Sequence, residues 1–547
     1  MILLSSISFI CLALLCKGEQ TTIQVDTDLG GIKGIQMTSR LGENFWAFRG
    51  IRYAKPPIGE LRFQSPQPIE AWKSQIYDAT TDGPICPQGY GSIDLISEDC
   101  LRLNVYTRDL KNLKPVLVFL HPGGFYSGSG RSNLFAGPQN LMDRDIVLVT
   151  LNYRLGSLGF LATGTADATG NMGLKDQVVA LRWIQKHIGK FGGDCGSVTL
   201  WGYSAGSFST GLHMMSPMSK GLFQRAIMMS SAPLGQFAFK DNQLELAQKQ
   251  AQLLKCPEKP IKDMVACLKT KPTTDFVNTV REMFEYAGKP IYNWMPVIEP
   301  DFGQERFIAE DPYKTMEKGV INKVPLIIGI TEYEFHYVAY YILRNDTERE
   351  LFNKDFEKLA PIHLLYERNT EKSHLISRKL KEKYLNNQSL VFPDSAEKFG
   401  QLYSDGVIGY SYHRFLDMVS KHTSVFSYLF TYKGRYSHFI NPSTNQSEGA
   451  MHHDELLYLF HVPVRTPLFS ETDQENKIIE RLTRMWTVFA TRGNPNNSTD
   501  DYLKNFEWPM YTDSKKEYLE IGDNLRKLNN GIFTDRFQLW DSLFPLN

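Results

Sequence analysis

The chain has 547 residues, and its 60 Lys plus Arg are matched by 60 Asp plus Glu, giving a formal net charge of zero. With no block of like charge, neither nucleic acid nor an anionic membrane surface is expected as a partner. No internal repeat, low-complexity tract or long linker divides the chain, so one large domain with a sizeable core is expected, although length alone would suit three or four.

The first feature is a short apolar core ending at Leu15, followed by Cys16-Lys17-Gly18, which puts small residues at the two positions a signal peptidase reads. It lacks a basic start. It is also shorter than about 18 residues and nothing comparable follows, so residues 1–18 read as a cleaved signal peptide rather than a membrane anchor. The tail Leu543-Phe544-Pro545-Leu546-Asn547 shows no glycolipid-anchor pattern and no retention signal. The expected mature product is a secreted, extracellular chain of residues 19–547 forming a single domain.

Cysteine usage agrees with that compartment. Cys11 and Cys16 leave with the signal, and Cys86, Cys100, Cys195, Cys256 and Cys267 remain. In an oxidising space the near pairs Cys86 with Cys100 and Cys256 with Cys267 can each close a small loop, leaving Cys195 as an unpaired thiol without an activating neighbourhood. Sequons at Asn345, Asn387, Asn445, Asn496 and Asn497 suit a glycosylated surface, and Pro442 disqualifies Asn441.

Short apolar runs at 115–120, 145–152, 198–203, 324–330, 425–431 and 517–521 read as strands, with helices over 176–188 and 476–491 between them. This alternation predicts the α/β class, a large and mostly parallel central sheet flanked by helices. After the run at 115–120 comes His121-Pro122-Gly123-Gly124-Phe125-Tyr126, a glycine-bearing turn at a strand end. Such a loop can present backbone N–H groups to a developing oxyanion. Pro122 has no N–H, so the donors would be Gly123 and Gly124.

About 80 residues later, Val198-Thr199-Leu200-Trp201 leads into Gly202-Tyr203-Ser204-Ala205-Gly206 and then a helical stretch. Strand, G-x-S-x-G and helix describe a nucleophile elbow, in which a sharp turn lifts the serine oxygen above the sheet edge. The pentapeptide alone recurs by chance; the Gly-Gly loop upstream is what gives it weight. Ala205, just past the nucleophile, supplies a third oxyanion donor.

A nucleophilic serine needs a base and an acid that orients it, in the order Ser, Asp or Glu, His. The imidazole candidate is His452, on a Gly-containing loop before an apolar run. The cluster His452-His453-Asp454-Glu455 is not read as a metal site, because adjacent side chains point apart and no third-ligand spacing follows. For the acid, spacing alone leaves Glu332 and Glu334 both open after the buried run at 324–330.

Further stretches carry a family resemblance: Phe48-Arg49-Gly50-Ile51-Arg52-Tyr53-Ala54-Lys55-Pro56-Pro57, Ser97-Glu98-Asp99-Cys100-Leu101-Arg102-Leu103-Asn104-Val105-Tyr106, Asn152-Tyr153-Arg154, Asn171-Met172-Gly173-Leu174-Lys175-Asp176-Gln177 and Phe191-Gly192-Gly193-Asp194. With these, the chain resembles the type-B carboxylesterases, the cholinesterase and carboxylesterase family, from about Gly30 to near the C-terminus. The resemblance implies Glu334 as the acid, His452 rather than His453 as the base, disulfides Cys86–Cys100 and Cys256–Cys267, and ion pairs Arg62 with Glu98 and Arg154 with Asp176. It implies a serine carboxylesterase acting through Ser204, Glu334 and His452 and a covalent acyl-enzyme on a small hydrophobic ester, with no metal or organic cofactor.

The sequence also departs from the family pattern. Tyr203 stands where the family usually has Glu and juvenile hormone esterases usually have Gln. Ser207, His453 and Phe335 replace small residues, and the loop from Cys86 to Cys100 holds no Trp for a choline, which argues against acetylcholine. Two alternatives accompany the esterase reading: a protein that sequesters hydrophobic esters, or an adhesion-type relative, with little turnover. Among enzymes, a juvenile-hormone-type esterase is the variant reading.

Overall fold

The computed structural model describes residues 21–546 apart from 287 and 443. The expected signal peptide therefore lies outside the described residues. A single thirteen-stranded sheet organises the rest. Its central strands run, side by side, Val147–Leu151, Lys114–Leu120, Gly193–Tyr203, Arg225–Met229, Leu326–Thr331, Val425–Phe430 and Tyr518–Ile521, each parallel to the next. Beyond Val147–Leu151, the strands Arg102–Thr107, Asn44–Arg52, Gly30–Thr38 and Thr22–Thr27 continue antiparallel. Leu525–Leu528 closes the other edge, also antiparallel, and the thirteenth strand, Lys73–Asp78, pairs in parallel with Gly30–Thr38.

The central strands read as continuous apolar runs because both faces are covered, the usual condition of parallel strands. In Lys114–Leu120, Val116, Val118 and Leu120 enter one core while Leu117 and Phe119 enter the other. Helix Met172–His187 covers the first face with Leu174, Val178, Leu181 and Ile184. Helix Asn476–Arg492 covers the second with Ile479, Leu482, Met485, Trp486 and Phe489. Their three- and four-residue spacing is what one stripe of a helix requires. At about 1.5–3 kcal/mol per fully buried aliphatic or aromatic side chain, these two layers are the main favourable term in folding.

One central strand does not stand out from the sequence. Arg225-Ala226-Ile227-Met228-Met229 has a single β-branched residue, yet it pairs with strands on both sides. Its strand state comes from two neighbouring ladders rather than from its own preference. The strand expected at 198–203 extends back to Gly193, with a register irregularity between Gly193 and Val198.

The covalent and ionic expectations are met. Cys86 is bonded to Cys100 and Cys256 to Cys267, and Cys195 is free and exposed. Arg62 grips Glu98 through two nitrogens, at 2.5 and 2.9 Å, and Arg154 grips Asp176 at 2.7 and 2.8 Å, both pairs buried. Fork-to-fork pairs of this kind satisfy both charges where water cannot.

Candidate active site

Parallel strands deliver their carboxyl ends to one edge of the sheet, where ligands of such sheets bind. Leu120 pairs with Gly202, Tyr203 with Met229, and Met229 with Gly329. The loops starting at His121, Ser204 and Glu332 therefore leave from that one edge.

Ser204 has φ 54° and ψ −119°, a conformation a non-glycine residue adopts only under constraint, and it sits directly before helix Ala205–Met215. Its flanking glycines are obligatory. A Cβ on Gly202 would lie 1.9 Å from Gly206 O, and one on Gly206 would lie 2.0 Å from Leu120 O. Ala205 opens the helix, so its N–H has no intrahelical acceptor. Gly123 and Gly124 have positive φ, at 124° and 59°, and neither N–H donates to another described residue. The Gly123 carbonyl accepts from Tyr126 N at 3.0 Å and Ser127 N at 2.9 Å, which pins the loop.

His452 and Glu334, 118 residues apart, meet in a buried pair, with Nδ1 2.5 Å from Oε2. Glu334 Oε1 accepts Thr331 N–H at 2.8 Å, and its backbone carbonyl accepts His452 N–H at 3.1 Å. Because Nδ1 faces an acceptor, it carries the proton, and Nε2 is left with a lone pair. That Nε2 is buried and has no hydrogen-bond partner among the described residues. Burial disfavours the charged form of both partners: it lowers the imidazole and raises the Glu334 carboxyl, the latter against the pull of Ser230 and Thr331 toward the ionised form. Glu332 is only half-buried, and its carboxyl is raised by burial and by the charges of Glu520 and Glu397.

Ser204 Oγ does not bond to Nε2 in this conformation; the Tyr292 hydroxyl, 2.7 Å from Ser231 Oγ, faces it. Turning one side-chain torsion moves the serine oxygen, and catalytic hydrogen bonds commonly tighten only with substrate bound. Aromatic rings enclose the site. Phe208 packs against Phe125, Phe237 and Tyr292 on one side, and Phe335 lies 4.4 Å from the His452 ring on the other. Beyond Tyr292 opens a cavity of about 1290 Å³, whose lining shares Phe237 and Tyr292 with this wall but includes none of Ser204, Glu334 or His452.

Sequence reasoning missed Tyr292, Ser230 and the Thr331 N–H. None carries a local signal, because each matters only for what the fold sets beside it.

Comparison with known proteins identifies the family. The model of the carboxylesterase family matches residues 21–540. The juvenile hormone esterase of Tribolium castaneum is 35% identical over 91% of this chain and 87% of its own, and a carboxylic ester hydrolase of Bombus ignitus is 31% identical over 91% and 90%. Among solved structures, the juvenile hormone esterase from Manduca sexta with OTFP covalently attached superposes with a TM-score of 0.84 at 28% identity, covering 96% of this chain and 100% of that one. The chain belongs to the carboxylesterase family, with the α/β-hydrolase fold, and is a carboxylic ester hydrolase.

Proposed function

We propose that this protein is a secreted serine carboxylesterase in which Ser204, Glu334 and His452 form the triad and hydrophobic esters are cleaved through an acyl-enzyme. The observation that carries the reading is the buried His452–Glu334 pair with an unoccupied Nε2, on the same sheet edge as a backbone-strained serine. Ser204 Oγ attacks the ester carbonyl while His452 Nε2 takes its proton, and Glu334 steadies the imidazolium. The oxyanion is received by the N–H groups of Gly123, Gly124 and Ala205, each worth about 3 kcal/mol in the transition state. His452 returns the proton to the departing alcohol, and water then releases the acid by the same route in reverse.

The aromatic enclosure suits an apolar ester. A juvenile-hormone-type substrate is the second reading, favoured by the two juvenile hormone esterases among the relatives. Secretion rests on the signal-like residues 1–18, which leave 19–547 as one domain, and no helix among the described residues is long and apolar enough to cross a membrane. Asn345, Asn387 and Asn445 are exposed and accessible to glycosylation, as is the partly exposed Asn497. Asn496 is partly buried and its amide nitrogen donates to Trp508 O at 3.0 Å, so it is the least accessible of the five.

The test is hydrolysis of p-nitrophenyl and naphthyl esters by the mature protein, with titration of Ser204 by an organophosphate. Ser204→Ala should abolish both; full turnover in that variant would end the proposal. A stoichiometric burst without a steady state would mean sequestration, and no burst at all would mean an adhesion-type relative. Varying acyl and alcohol lengths, with a terpenoid methyl ester among the substrates, separates the juvenile-hormone-type reading from a broad one.

A further inference from the structure

Two departures from the family pattern, Tyr203 and His453, are in contact. The Tyr203 side chain is fully buried, and its hydroxyl accepts the His453 backbone N–H at 2.7 Å. Having accepted there, it donates to Glu455 Oε2 at 3.2 Å, while Tyr428 donates to the other oxygen, Oε1, at 3.0 Å. The ring of Tyr203 also stands edge-on to His452, with centroids 5.2 Å apart.

His453 needs such an anchor. Its φ is 83°, a left-handed conformation that glycine adopts freely and a residue with a Cβ adopts only at a cost. The neighbouring bonds hold the rest of the loop. Met451 N donates to Asp454 Oδ2 at 2.9 Å, and His452 N donates to Glu334 O at 3.1 Å. On the C-terminal side of His452, the His453 carbonyl accepts Leu456 N–H at 3.0 Å and Asp454 N donates to Met451 O at 3.0 Å. Among the described residues, the 453 N–H that joins the strained residue to His452 is thus the one backbone group there held from outside the loop, by Tyr203. A backbone free to relax there would rotate the adjoining His452 and carry Nε2 away from Ser204.

We propose that Tyr203 is a positioning residue whose hydroxyl latches the strained backbone of His453 and so aims the His452 imidazole at Ser204. The aim matters only if His452 is the base, so the inference rests on the reading under Proposed function. The latch itself is a structural relation with its own readout. Tyr203 does not replace the family carboxylate in kind, since its phenol stays neutral; it replaces a charge beside the nucleophile with a hydrogen bond to the base loop.

The test is a double-mutant cycle on the full mature protein, with kcat and KM measured on p-nitrophenyl butyrate and hydrogen exchange followed over residues 449–456. Tyr203→Phe should lower kcat by about tenfold or more, with KM within about twofold, because aim rather than binding is lost. Exchange in 449–456 should rise by about tenfold with little change elsewhere. His453→Gly removes the strain. The double variant should therefore recover to within about threefold of His453→Gly alone, a coupling that independent sites do not show. Should Tyr203→Phe fail to fold alone, a folded double variant with that kcat supports the latch equally. Unchanged kcat and exchange in Tyr203→Phe, or losses that simply add in the double variant, would overturn the proposal. If the wild type neither hydrolyses esters nor reacts with an organophosphate, the esterase reading fails by itself, and the exchange measurement still decides the latch.

Discussion

Gly123→Ala tests whether the loop after strand Lys114–Leu120 is an oxyanion site or only a turn. An added Cβ at Gly123 would lie 2.0 Å from Ser127 O and 2.8 Å from Ser127 Oγ, and the backbone φ of 124° is hostile to any side chain. Non-bonded carbon and oxygen need about 3 Å, so the loop must move by about 1 Å. That motion strains the Ser127 N–H to Gly123 O bond of 2.9 Å and the Ser127 Oγ bond of 3.1 Å to the same oxygen. A displacement of about 1 Å costs on the order of 100-fold in rate, and loss of one oxyanion donor about 10²–10³-fold. The expected result is a kcat lower by about 10²–10³-fold on p-nitrophenyl butyrate, KM little changed, and stability reduced by about 1–3 kcal/mol in denaturant titration. Gly221→Ala is the control, since Gly221 has φ 79° but open space where the Cβ would be. It should lose about 1 kcal/mol of stability and no kcat. A folded Gly123→Ala enzyme with more than a third of the wild-type kcat would refute the assignment of Gly123 as a donor.

Two further outcomes follow from the acid–base pair. Glu334→Gln should lower kcat by about 10³–10⁴-fold, because an amide at that place no longer holds the imidazole in the tautomer with Nε2 free; Glu332→Gln should stay within a few-fold. The reverse order in steady-state kinetics would move the acid to Glu332. The pH profile of kcat/KM should have its acid limb below the ordinary histidine value. If His452 is the base, its working form is neutral, and burial disfavours the imidazolium, so the imidazole stays unprotonated to a pH below the ordinary histidine value. An acid limb at or above pH 6.5 would contradict the dry environment of this histidine.

Much of the architecture and part of the site were legible in the chain itself, and the elbow shows why. Gly202, Ser204 and Gly206 are constrained by contacts with one another and with one neighbouring strand end, so their spacing alone records the turn. The apolar runs at 115–120 and 425–431 likewise announce strands buried on both faces, and the disulfide pairs lie close in sequence, 14 and 11 residues apart. Short-range constraints leave short-range marks. The acid was different: spacing could not choose between Glu332 and Glu334, and only family likeness favoured the second. The fold separates the two, because Glu334 meets His452 across 118 residues while Glu332 faces other carboxylates. Tyr203 reaching Glu455 across 252 residues, and Tyr292 turning its hydroxyl toward Ser204, depend in the same way on loops brought together at one sheet edge. Such contacts are selected by where the chain arrives rather than by its local pattern, so residue order alone marks the serine elbow, and tertiary packing decides which side chains stand beside it.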